Sequence, residues 1–137
     1  MDSHLHLNDT EFESQFANCT LDPELFNHEA HLRLAWVHVR KYGQEQAVNN
    51  LCSQIAHFDS TFGDGTKFHL TLTIASAKVI DHFLKKSSST TFSEFIAEFP
   101  RLRTNFKDIL AFHYGTDIFK DERAKHSYVK PDLLPFE

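Results

Sequence analysis

The chain has 137 residues, 41% hydrophobic and 24% charged, a balance that suits one globular domain and excludes a disordered chain. Fourteen Lys+Arg stand against nineteen Asp+Glu, a formal charge of -5, so a nucleic-acid role lacks an electrostatic footprint. No apolar run approaches the ~20 residues a membrane-spanning helix needs, and the first nine residues lack a signal peptide's pattern.

Two cysteines, Cys19 and Cys52, make no disulfide framework, and the expected compartment is a reducing cytoplasm. Residues 1–20 are expected to be a flexible N-terminal segment within a single 137-residue domain, with His4 and His6 in a disordered tail. The first long helix is expected from about Glu24 to Tyr42. Asp22-Pro23-Glu24 offers a cap, a first-position proline and an acid in the first turn, and Arg40 and Lys41 precede Gly43. A second helix from Gln44 to about Phe62 follows from Val48, Leu51, Ile55, Phe58 and Phe62, which recur at one-face spacing. Gly63-Asp64-Gly65 reads as a turn.

The run from Phe68 to Ile74 alternates apolar and polar residues, as a strand would, yet Phe68, Leu72, Ala75, Val79 and Phe83 are helically spaced. A lone strand among helices would leave its backbone unpaired, so the reading is a third long helix from Thr66 to about Lys85. Thr91-Phe92-Ser93-Glu94 has the pattern of a capping box opening a short helix that Pro100 ends. A helix around Asn105–Tyr114, a short one over Asp117–Lys125 and an extended tail from Val129 complete the chain. The expected fold is all-α, a bundle of three long antiparallel helices with shorter C-terminal helices around it. The fourteen phenylalanines read mainly as core filler.

The chain also has ten histidines. His28, His31, Ala35, His38 and Tyr42 form one stripe on the first long helix. In an antiparallel bundle, His28, His31, His57 and His69 fall in one layer about 6–8 Å thick, with His38 and His82 in the opposite half. Two histidines at i, i+3 have β-carbons about 5–6 Å apart and can share a metal. A third imidazole would complete a three-nitrogen site with one position open to water or substrate. The metal ligands expected are His28, His31 and His69, for a divalent ion such as Zn, Fe, Cu or Ni. Thr73 could orient a ligand or bound water, and His57, Trp36, Tyr114 and Asp132 are candidate neighbours of the site. The other reading makes these histidines a buried hydrogen-bond network in a non-catalytic module that binds a small ligand or a partner protein. Haem ligation by His31 or His38 lacks a C-x-x-C-H motif.

Phe26-x-His28-x-x-His31-Leu32-x-x-Ala35-Trp36, followed by Phe68-His69-x-Thr71-x-Thr73, resembles a family of small uncharacterised bacterial helical proteins. That family's pattern continues with Y-Y-S, where this chain has His113-Tyr114-Gly115, and P-D-L, matched here by Pro131-Asp132-Leu133. The resemblance singles out His28, His31 and His69 as a functional cluster without implying a reaction. The chain departs from the pattern at Phe68, which lacks a tyrosine hydroxyl, and at His113 and Gly115. His28-Glu29-Ala30-His31 is one residue short of H-E-x-x-H, and no Walker A, G-x-S-x-G or paired Glu-x-x-His motif is present.

Overall fold

The helical spacing is realised throughout: in the computed structural model, which describes residues 3–136, every regular element is helical. The chain divides into two compact units, Met1–Phe68 and His69–Glu137.

In the first unit, α1 (Asp9–Ala17) occupies the segment expected to be flexible. The Asn8 side chain accepts the Glu11 amide while Glu11 accepts the Asn8 amide, a reciprocal cap. Phe12 and Phe16, one turn apart, are fully buried. Ahead of α1, a 3-10 turn at His4–His6 corrects the disordered-tail reading. His4 is fully buried, and its Nε2 lies 2.9 Å from Glu29. Buried Arg33 donates to the carbonyls of His4 and Leu7 and to Asp9, and its guanidinium lies over Phe12.

The cap at Asp22-Pro23 starts only a 3-10 turn, Pro23–Leu25, and not the long helix. Asn27 then caps α2 (His28–Tyr42) by accepting the Ala30 amide, so the helix begins four residues later than the sequence reading placed it. The backbone of Phe26 (φ -90, ψ 69) breaks the two turns apart. Trp36 is buried, as its place one turn beyond Leu32 required. Gly43, at φ 85, joins α2 to α3 (Gln44–Phe62), and the two helices pack together, with α1 against both.

In the second unit, α4 (Leu70–Leu84) decides the contested run in favour of helix. It starts later than Thr66, because the His69 side chain is its N-cap and residues before it are irregular. The short helices α5 (Phe92–Glu98), α6 (Arg101–Thr104), α7 (Phe106–Ala111) and α8 (Glu122–His126) follow, with α8 packed on α4. The expected three long helices thus comprise a packed pair in the first unit and α4 in the second. Among the described residues no helix is long and apolar enough to cross a membrane.

Candidate functional site

The residues picked from the sequence separate into two environments. His28 and His31 stand at the first and fourth positions of α2, in the first unit. The His31 ring stacks on Phe26 with centroids 3.9 Å apart, and its Nδ1–H donates to the Asn27 carbonyl at 3.3 Å. Because a carbonyl can only accept, Nδ1 carries the proton and Nε2 keeps a lone pair. Surrounding protein lowers the His31 pKa to about 4, chiefly by desolvation; the Asn27 bond opposes the shift and nearby His28 adds to it. The residue still opens to solvent on one side, and neutral imidazole is the favoured form of its ring.

That ring forms one wall of a cavity of about 250 Å³ in the first unit. Phe26, Phe58, Phe62 and Phe68 supply aromatic surface, Ile55 and Pro23 aliphatic surface, and Lys67 and Asp59 the charged groups. The rings are mutually packed: Phe26 meets Phe58 edge-on at 5.2 Å, and Phe58 meets Phe62 at 4.8 Å. Asp59 fixes the rim, its Oδ2 accepting the amides of Lys67 at 2.8 Å and Phe68 at 2.9 Å. Gly63 allows this, since a Cβ there would meet Asp59 Oδ1 at 2.9 Å.

His69, in the second unit, is held at both ring nitrogens. Its Nε2 lies 2.7 Å from the Ile118 carbonyl and so must carry the proton; its Nδ1 accepts the Leu72 amide at 3.0 Å. In this arrangement neither nitrogen presents a lone pair to a metal. Thr73 donates its hydroxyl to the His69 carbonyl at 2.7 Å, a helix back-bond rather than a bond to the imidazole. Tyr114 is buried and donates to the Val129 carbonyl at 2.8 Å, and burial raises its pKa, with Tyr128 adding to the shift. Asp132 accepts the Gly115 amide at 2.9 Å. His57 is exposed on α3, and Trp36 lies in the core.

Of the eight residues picked from the sequence, only His31 lines the cavity. Among the described residues no three His, Cys, Asp or Glu side chains converge on a point that could hold a metal. The residues missed are Phe58, Phe62, Lys67 and Asp59, which shape the cavity, and Thr71, whose buried hydroxyl donates to Ser127 and accepts the Val129 amide. A signal for the cavity did exist, because Phe26, His31 and Phe68 all lie in the motifs quoted above. Comparison of the chain with protein-family models, curated proteins and solved structures finds no match.

Proposed function

We propose that the chain is a helical binding module that takes up a small, largely apolar molecule in the cavity beside His31. The observation that carries this reading is an imidazole with one nitrogen committed to the backbone and the other left as an acceptor, in a lining to which four phenylalanines contribute. Ligand sites commonly combine apolar surface with a few fixed polar groups in this way. Bond donation to Asn27 and stacking on Phe26 hold the ring without a ligand, so little ordering is required on binding.

The divalent-metal reading through His28, His31 and His69 requires His69 to give up the Leu72 amide that occupies its Nδ1 lone pair, and with it the cap of α4; the Nε2–H bond to the Ile118 carbonyl could remain. Two titrations of the full chain, followed by backbone amide signals, test the choice. Phenol and toluene are expected to shift signals of Phe26, His31, Phe58 and Phe68, and Ile55→Trp, which fills the cavity, should remove those shifts. No shift at these residues with either probe overturns the cavity reading. Zn²⁺ binding that is lost in both His28→Ala and His69→Ala overturns it in favour of the metal site.

A further inference from the structure

Within the binding reading above, on which this step rests, we infer that the cavity's ligand is a small aromatic acid bearing a hydroxyl or similar hydrogen-bond donor on its ring. Three features of the lining argue for it, each selecting one part of the molecule. Four phenylalanine rings favour a flat aromatic body, which stacks or packs edge-on against them. A volume of about 250 Å³ holds one substituted ring and excludes a dinucleotide or a long acyl chain.

His31 selects the donor. Its Nδ1–H is committed to Asn27, so Nε2 offers a lone pair and no proton, which suits a hydroxyl and repels a second acceptor.

Lys67 selects the charge. Its ammonium forms no ion pair among the described residues, and Asp59 on the same lining turns its Oδ2 to two backbone amides. Asp64, the acidic neighbour that feels the Lys67 charge, is itself engaged by the Thr66 amide and hydroxyl. Asp59 and Asp64 stay ionised but direct oxygens to neighbouring amides rather than to the Lys67 ammonium, which leaves that ammonium as the cationic group on the lining that a ligand carboxylate can meet. A single lysine does not suit a phosphate ester, whose doubly charged head requires several donors.

The test titrates the full chain with 3-hydroxybenzoate, 4-hydroxybenzoate, benzoate, phenol and toluene, read by amide signals of the cavity residues. One of the hydroxybenzoates should bind tightest, with benzoate and phenol each weaker by roughly 3–10-fold. His31→Phe preserves the ring packing on Phe26 and should erase the advantage of hydroxybenzoate over benzoate. Lys67→Gln should erase its advantage over phenol. Both positions are exposed, so both variants should keep their helices, which circular dichroism checks. If phenol or toluene binds as tightly as the acids, or if neither variant alters the ranking, the aromatic-acid assignment is overturned while the cavity still binds. If none of the five probes moves a cavity signal, the binding reading itself falls.

Discussion

His31 and His69 both sit at the start of a helix, one in each unit, and the chain uses them in opposite ways. In the first unit, His31 lies inside its helix and gives only one nitrogen to the backbone. In the second, His69 precedes its helix and gives both, one to the helix amide and one to a carbonyl 49 residues later. A half-committed ring can meet a ligand, whereas a fully committed ring is a structural joint. Sequence spacing groups the two residues; their hydrogen bonds separate them.

The units also differ in what holds their terminal segments. Near the N-terminus a buried charge does so, with Arg33 gathering Asp9 and two carbonyls beside the buried His4. Near the C-terminus neutral bonds and one exposed carboxylate do so. Thr71 bridges Ser127 and Val129, Gly115 donates to Asp132, and the amides of Leu133 and Leu134 donate to the His113 and Phe112 carbonyls.

The largest effect expected is acid sensitivity of the first unit, which carries three histidines whose pKa values lie below 6.5. Desolvation is the leading cause for His4, His31 and His38 alike, with Arg33 adding to it at His4 and Glu29 opposing it. Well above pH 6.5 these rings are neutral in folded and unfolded chains, and they add no pH dependence to stability. Below it the unfolded chain binds protons that the folded chain refuses, so stability falls with pH, for His31 down to about pH 4. Amide hydrogen exchange compared at about pH 7 and about pH 5 should show protection lost first in residues 3–68. Earlier loss in residues 69–136 would break the contrast between the units.

Next in size is the difference between the two compared histidines. His69→Ala removes an N-cap and leaves the Ile118 carbonyl without its ring partner, an expected loss of roughly 2–3 kcal/mol. His69→Asn restores the cap alone and should recover part of that loss. His31→Ala removes one long bond and a ring contact with Phe26 at an exposed position and should cost about 1 kcal/mol. Urea midpoints of the three variants measure this directly, and equal losses for the two alanine variants would abolish the distinction.

A smaller effect isolates the joint behind His69. Thr71→Val keeps the shape of a fully buried side chain but strands the Ser127 carbonyl and the Val129 amide. The expected cost is about 1–2 kcal/mol, with exchange rising first around residues 127–134.

The all-α fold was legible because glycine and proline mark where helices stop, and that punctuation is local. Long-range pairing was not. Nothing near His69 announces Ile118, and a histidine can cap a helix without the Ser, Thr, Asp or Asn signature. The start of α2 was misplaced because Asp22-Pro23 and Asn27 are both valid caps, and only the backbone of Phe26 decides between them. α1 was legible and missed: Asn8 and Glu11 have cap spacing, and Phe12 and Phe16 lie one turn apart. The cavity was hidden for a different reason. Phenylalanines at helical spacing read as core, and whether four of them close completely or leave room for a guest depends on packing rather than on pattern.

The smallest expected effect concerns Cys19, and it should raise stability. This residue ends α1 with φ 57, the left-handed conformation that an ordinary side chain resists and glycine accepts. The conformation is imposed by the helix end: the amides of Cys19 and Thr20 turn back to the carbonyls of Phe16 and Gln15. Those bonds need only the backbone, so Cys19→Gly keeps them and relieves the side chain's clash. The gain is offset by the greater freedom of glycine in the unfolded chain and by loss of contacts from a half-buried thiol. A net stabilisation of up to about 1 kcal/mol is expected. Cys19→Val is the informative control, because its branched Cβ fits this conformation worst and should destabilise by a similar amount. Opposite signs for the two variants, with amide exchange in residues 69–136 unaltered, would place the strain at the end of α1. A loss of stability in both would show that the thiol's packing outweighs the backbone conformation.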